Sequence, residues 1–412
     1  MSCDVRKWYR STIGGLPRMY WYLWTGMLIN RVGGFVALVL SLYLTSAQHL
    51  SLSVAGLVVG GYGIGGIAGV LLGGVLADRW GRRPTLLLAH FGAVALLAGL
   101  AITGDLPVIA ALAALLGLTH SMPGPAFVAA IVDVTPVDDR SRAFNLQFWA
   151  FNLGMAVASL TAGLLAEVSY PLLFAVDAAA TLVTALLILW KVRETRPRRA
   201  TTVRPPGGLH TALTDPSFML FVGLSLLLAV VTLQSSTILP LAITGDGLRP
   251  TVYGSVVAYA GLLIVLGQLF VPRLIGRWRK GTSLAVANAF LGLGFASVAL
   301  ADDVAGYVVA ATIWTVGSMI AAPPNAAVIA ELSPEALRAR YQSVFYLVFP
   351  AASFIAPAAG GASLEHLGNW HWVLCGALGL TAAAGHLLIQ PARERRVAKK
   401  LEGERFAAPV AG

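Results

Sequence analysis

The sequence predicts an all-α polytopic membrane protein with twelve transmembrane helices in two six-helix bundles. Of its 412 residues, 57% are hydrophobic and 12% charged, whereas soluble proteins carry about 25% charged residues. Twelve apolar segments are each long enough to cross a bilayer, which takes about 20 residues. The second six segments also repeat features of the first six. These observations argue against a water-soluble enzyme and exclude a small loop-rich domain.

Charged residues, prolines and glycines bound the twelve apolar segments. The first six lie near 20–44, 54–77, 86–103, 108–131, 143–166 and 171–192, and the second six near 217–243, 252–275, 283–301, 304–329, 341–364 and 370–390. The stretch between the two sets is rich in Pro, Gly and Arg, as is typical of a solvated linker. The predicted organisation is a basic segment 1–19, a bundle 20–192, a linker 193–216, a bundle 217–391 and a basic tail 392–412.

The basic residues predict the topology. Of the 29 Lys and Arg residues, 27 fall on the side that both termini share, Arg249 lies opposite and Arg31 lies inside a span. By the positive-inside rule, both termini should be cytoplasmic, in the plasma (inner) membrane. The net charge of +10 is thus mainly a topology signal, and we expect no nucleic-acid partner.

The two halves share an internal repeat. "IVDVTPVDDRSR" at 131–142 aligns without gaps with "IAELSPEALRAR" at 329–340, an offset of 198 that pairs Asp133 with Glu331. The same offset pairs "DRWGRR" at 78–83 with "GRWRKG" at 276–281. Because each half has six spans, the repeat keeps its orientation, and an axis along the membrane normal should relate the halves.

The strongest local motif is "GGVLADRWGRRP" at 73–84. It resembles the signature loop G-x-x-x-D-R-x-G-R-R between the second and third helices of the major facilitator superfamily. The resemblance implies the major facilitator fold, with Asp78, Arg82 and Asp133 as a conformational latch. The repeat suggests a second latch at Glu331 and Arg338. Independently, a partly desolvated charge cluster at a helix end can act as a two-state latch. Alternatively, these charges serve only as topology determinants.

A four-residue glycine period marks the second span, at Gly61, Gly65, Gly69 and Gly73. Such a stripe lets another helix approach closely. No strand precedes its formal G-x-G-x-x-G match, so we expect packing rather than dinucleotide binding. The sequence has no Walker lysine motif, which argues against direct ATP coupling.

Three ionisable residues inside spans are coupling or substrate candidates. Arg31 should face a wet cavity or a buried partner, because a lipid-facing Arg at the bilayer centre costs about 2.5–3.5 kcal/mol. It could bind an anionic group, tune a proton site or pin helices together. Asp177 is a proton-site candidate, with a structural hydrogen bond as the alternative, and His120 could titrate near neutral pH or be a packed residue.

Further polar and aromatic side chains in spans are candidate cavity residues, with packing as the alternative. They are Asn30, Tyr62, Asn152, Gln234, Tyr259, Trp314 and Tyr346. Aromatics and amides around one fixed cation suit amphipathic organic ligands better than sugars.

The run "INRxGxF…LYLT" in the first span looks like multidrug-efflux members of the superfamily. The fifth span, "NLGMAVASLTAGLL", departs from the antiporter signature G-P-x-x-G-G. The resemblance therefore implies a transporter rather than an enzyme: a monomer that exports small amphipathic organic compounds by alternating access. It would need protons but no cofactor or metal. The alternatives are a proton-coupled uptake symporter, a metabolite or lipid exporter, and a transporter-like receptor.

Overall fold

A computed structural model describes residues 14–196, 209–267, 270–333 and 337–407. Parts of the predicted linker and of both basic terminal segments lie outside these ranges. Within them the chain is helical and contains no strand. Twelve helices are long and apolar enough to cross a membrane, which confirms the predicted fold class.

The twelve helices are numbered α1 to α12 in chain order. In the first half they are Arg18–Ala47, Leu52–Arg79, Arg82–Ile102, Leu106–Val134, Arg142–Val168 and Tyr170–Lys191. In the second half they are Pro216–Thr237, Pro250–Gly267, Lys280–Leu300, Val304–Ala321, Val344–Leu367 and Trp370–Arg396.

The chain divides into two compact units. The first unit comprises Met1–Thr201, Ser236–Gly261 and Pro357–Ala362. It therefore holds α1 to α6, most of α8 and a short piece of α11. The second unit comprises Thr202–Ser235, Leu262–Ala356 and Ser363–Gly412. In that unit α9 packs against both α10 and α12.

The glycine stripe of α2 packs on the backbone of α4. Three of the four glycines face successive backbone segments of α4, where a Cβ atom would collide with a carbonyl: Gly65 at Ala114, Gly69 at Leu118 and Gly73 at Met122. Gly61 instead faces open space. The four-residue glycine period thus predicted the close contact between helices, but only three of the four glycines take part in it.

Helix α1 is interrupted in the middle of its span. Its first segment, Arg18–Val32, ends at Gly33, and helix resumes at Val36–Leu42. A Cβ on Gly33 would collide with the side chain of Ala180 in α6. The break therefore lies where α1 packs closely on α6, and its backbone N–H groups need acceptors from the protein.

Candidate transport and gating sites

The structure brings the three predicted latch residues together at the end of the first unit that carries the basic loops. Arg82 Nε donates to Asp133 Oδ2 at 3.0 Å, and Arg82 Nη1 lies 3.3 Å from Asp78 Oδ1. Nη1 also donates to the carbonyl of Ala77 at the end of α2, at 2.8 Å. The Arg82 side chain is only 12% exposed, whereas that of Asp78 is 78% exposed. The pair with Asp133 is therefore the more desolvated of the two.

A related ion pair lies in the second unit. Lys280, at the start of α9, pairs with Glu331. Lys280 stands 198 positions after Arg82, the offset that separates Glu331 from Asp133. The predicted partner, Arg338, begins a short helix, Arg338–Tyr346, and its side chain lies outside the described part. Lys280 was not predicted as a latch residue from the sequence, although the repeat register pairs it with Arg82.

Asp177 on α6 lies against the break in α1. Its side chain is fully buried. Oδ2 accepts hydrogen bonds from the backbone N–H groups of Phe35 and Val36, at 2.9 and 3.2 Å. Those are the groups left without helical partners when α1 restarts. The intramembrane acid thus supplies the acceptors that the interrupted helix lacks.

The polar contacts of Asp177 continue to Asn30. Thr181 Oγ1 lies 3.4 Å from Asp177 Oδ1 and accepts from Asn30 Nδ2 at 3.3 Å. Thr184, one turn further along α6, donates to the Gly26 carbonyl at 3.1 Å. Asn30 and Asp177 therefore hold both sides of the α1 break against α6.

Arg31, the next residue after Asn30, is exposed in the structure. Its guanidinium lies over the ring of Phe151 in α5, 4.3 Å from the centroid, a cation–π contact. The backbone of Arg31 packs on Gly154, where a Cβ would come within 2.5 Å of the Arg31 Cβ. Phe151 was not predicted from the sequence, because aromatic contacts between helices leave no periodic signal.

Tyr62 on α2 and His120 on α4 form a second polar contact in the first unit. Their side chains join through Tyr62 Oη and His120 Nδ1, 3.1 Å apart, and both residues are partly buried. Glycine packing between α2 and α4 makes this approach possible, because Gly117 faces the backbone of Tyr62. The pair offers a phenol and an imidazole within one hydrogen bond.

The other candidates divide between packing and exposed positions. Gln234 is buried and donates to the Ala356 carbonyl at 3.3 Å. Trp314 stacks on Phe295 with centroids 5.0 Å apart. Tyr259 and Tyr346 are 36% and 61% exposed, and Asn152 on α5 is partly buried. Gln234 and Trp314 therefore both contact other parts of the second unit.

The second unit contains a cavity of about 200 Å³ between α7, α9, α10 and the start of α11. Its lining is apolar apart from hydroxyls and one amide: Ser225, Leu228, Ala229, Thr232, Leu291, Ser318, Ala321, Asn325, Phe345, Val348 and Phe349. None of these described residues is ionisable. The cavity can hold an apolar group and offer it a few neutral hydrogen bonds.

The family model described as Major Facilitator Superfamily matches residues 23–336. The chain belongs to this superfamily. Its helices match a solved POT family transporter in complex with a thioalcohol-conjugated peptide, with a TM-score of 0.79 over 93% of this chain and 98% of that one. At 14% identity, that likeness shows the shared fold alone.

Curated relatives are also superfamily transporters. The chain is 26% identical to the uncharacterised MFS-type transporter YttB of Bacillus subtilis, over 86% of this chain and 90% of the relative. It is 29% identical to the class C tetracycline resistance protein of Escherichia coli, over 55% of this chain and 59% of the relative. The relatives thus include a transporter of uncharacterised function and a protein named for drug resistance.

One further cluster of this superfamily member was not signalled by its sequence. Asp215, just before α7, accepts hydrogen bonds from Nη1 and Nη2 of Arg396 at 2.6 and 2.5 Å. Tyr341 Oη and the backbone N–H of Phe218 also donate to it. Burial raises the pKa of Asp215, but the hydrogen bonds from Arg396, Phe218 and Tyr341 outweigh it and lower the pKa overall. Asp215 and Arg396 are 181 positions apart in the sequence, so only the tertiary structure reveals this cluster.

Proposed function

We propose that this superfamily transporter exports amphipathic organic compounds in exchange for protons, by alternating access. A relative of this chain is named for tetracycline resistance, which a transporter can confer by exporting the drug. It also rests on the chemistry of the cavity in the second unit and of the polar residues in the first unit. One proton moving down about 100 mV supplies about 2.3 kcal/mol, which corresponds to nearly fiftyfold in substrate concentration.

The uncharged cavity of the second unit is the observation that supports amphipathic organic compounds as substrates. Phe345 and Phe349 contribute aromatic surface, while Thr232 and Asn325 contribute neutral polar groups. A ligand with an apolar group can bury it there without leaving an ionised protein group unpaired. A sugar, which needs many directional hydrogen bonds, would find few partners on this wall.

In this proposal the first unit supplies the polar groups that bind the substrate and exchange the proton. Arg31 keeps its charge at any physiological pH, so it can attract an anionic group or hold an acid ionised, but it does not carry the proton. The Tyr62–His120 pair is a candidate for proton exchange because a phenol and an imidazole share one hydrogen bond there. Asn30 and Asn152 remain candidate ligand contacts on α1 and α5.

The latch proposal assigns gating to Asp78, Arg82 and Asp133, with the Lys280–Glu331 pair as its counterpart. Arg82→Ala should reduce transport at normal expression, because the state in which the cytoplasmic end is closed loses the desolvated ion pair with Asp133. Asp78→Asn removes only the more exposed pair with Arg82 and should reduce transport less. Unchanged state populations in either variant would remove this role.

Transport in proteoliposomes tests the proposal. With a pH gradient imposed, we expect a tetracycline or a lipophilic cation to move against the proton flow. A dipeptide and a sugar are the matched comparison substrates. Accumulation of a dipeptide or sugar in the direction of proton flow would instead establish an uptake symporter. Gradient-independent binding alone would establish a receptor.

The proposed topology places both termini in the cytoplasm and the bundles at 20–192 and 217–391. Single cysteines at Thr202 and Ser363, with Cys3 and Cys375 replaced, should react from the cytoplasmic and the external side respectively. Labelling of position 202 from outside intact cells would contradict the charge-based topology.

A further inference from the structure

The three residues Glu194, Thr195 and Arg196, which follow α6, contact three different parts of the latch region. We call them the linker strap. Glu194 binds the start of α3, Thr195 contacts the end of α4 and Arg196 binds the end of α2. No sequence motif singled out these residues, because they lie at the beginning of the predicted linker.

Glu194 caps α3 from more than a hundred residues away. Its Oε1 accepts from the backbone N–H of Arg82 at 2.9 Å, and its Oε2 accepts from that of Arg83 at 3.1 Å. The residue at the N-cap position itself is Gly81, which has no side chain to serve these groups. A helix N-terminus favours a carboxylate through both its free N–H groups and its dipole.

Gly81 is required for this cap in two ways. Its φ of +122° is a conformation that residues with a Cβ atom rarely adopt. A Cβ at this position would also collide with the Glu194 carboxylate. The glycine of the signature loop therefore makes room for the acid of the strap.

The other two strap residues bind the latch residue Asp133 and the backbone at the end of α2. Thr195 Oγ1 donates to Asp133 Oδ2 at 3.3 Å, the same oxygen that accepts from Arg82 Nε. Arg196 Nη1 donates to the carbonyl of Arg79 at 2.6 Å. With the bonds of Glu194 to the start of α3, one short segment therefore binds the backbone of Arg82, the carboxylate of Asp133 and the end of α2.

We propose that the linker strap is a fourth component of the latch and that Glu194 is its positioning residue. By fixing the backbone of Arg82, Glu194 holds the guanidinium against Asp133. Thr195 in turn orients the Asp133 carboxylate. Release of the strap and opening of the ion pair are then one event, so the start of the linker and the gate move together. This inference rests on the proposed latch.

Distance measurements between spin labels at Trp80 and Trp278 test the strap. Both positions are exposed, at 63% and 42%, and they occupy corresponding places in the two repeats. Glu194→Ala should raise the ratio of long to short distances about fivefold, the factor that loss of a helix N-cap typically contributes. Glu194→Gln, which keeps one acceptor, should shift the ratio less. Arg193→Ala, an exposed neighbour, is the control and should leave it unchanged.

A double-variant comparison separates a role through the latch from general loosening of the loop. Adding Glu194→Ala to Asp133→Asn should change the distance ratio less than twofold, since both act on one ion pair, whereas independent effects would multiply. Thr195→Val, which preserves shape and removes the bond to Asp133, should shift the ratio in the same direction and serves if the Glu194 variant misfolds.

The outcomes distinguish the strap from the latch. If Arg82→Ala shifts the distances and the Glu194 variants behave like Arg193→Ala, the strap is overturned and the latch stands. If Arg82→Ala also leaves the distances unchanged, the latch itself is wrong and the strap falls with it. Multiplicative effects in the double variant would equally overturn the strap.

Discussion

Replacement of Asp177 tests whether the intramembrane acid stabilises the break in α1 or carries a proton. In Asp177→Ala, the backbone N–H groups of Phe35 and Val36 lose their acceptor. Each buried donor left unsatisfied costs about 1–3 kcal/mol. The free energy of unfolding should therefore fall by about 2–6 kcal/mol, with water entering the vacated space placing the result at the lower end.

Asp177→Asn preserves the shape and keeps a carbonyl oxygen that can accept the same two N–H groups. Only the charge-assisted part of the bonds is lost, which we estimate at about 1 kcal/mol. Thr181→Val is a matched intermediate, because it removes one hydroxyl from the same network and leaves the acceptors of the break in place. The expected order of stability is wild type, then Thr181→Val and Asp177→Asn, then Asp177→Ala.

Two assays on the same purified proteins make the test decisive. Thermal unfolding in detergent, followed by tryptophan fluorescence, reports the stability order. Proteoliposome transport per folded molecule, measured across a range of pH, reports coupling. We expect Asp177→Asn to transport with an unaltered pH profile. If this variant instead unfolds like the wild type but retains only downhill exchange, Asp177 carries the coupled proton and the structural reading is refuted.

Three other predictions address separate contacts. Arg31→Lys should retain partial proton-driven transport and Arg31→Gln only binding or downhill exchange; an unaltered pH profile in the Gln variant would reject a coupling role for the charge. Glu167 accepts from the backbone N–H of Thr251 at 3.1 Å, and both residues belong to the first unit, so Glu167→Ala should leave the Trp80–Trp278 distance ratio unchanged; a shift in that ratio would contradict this. Asp215→Asn should lower the free energy of unfolding at pH 7 by about 2 kcal/mol, because hydrogen bonds to charged groups are lost. Since its contacts lower the pKa of Asp215, this difference should be present above about pH 4 and shrink as the pH falls below it; a difference that is constant with pH would show that the charge contributes nothing.

The sequence by itself determined the class of fold, because the requirements of the bilayer are local. A membrane-spanning helix needs about 20 apolar residues whatever its neighbours are, so twelve spans could be counted along the chain. The repeat also carried long-range information, because it paired Asp133 with Glu331. The same offset, used at every position, would also have paired Arg82 with Lys280.

Only the tertiary structure decided which side chains serve one another. Asp177 was a proton-site candidate as an isolated acid in an apolar span, and its bonds to Phe35 and Val36 became visible only with α6 packed on the break of α1. Glu194 looked like one charge in a solvated linker until the fold placed it on the N-terminus of α3. Hydrophobic periodicity records which face of a helix is buried, but a hydrogen bond across more than a hundred residues depends on how helices cross, and no local pattern encodes that geometry.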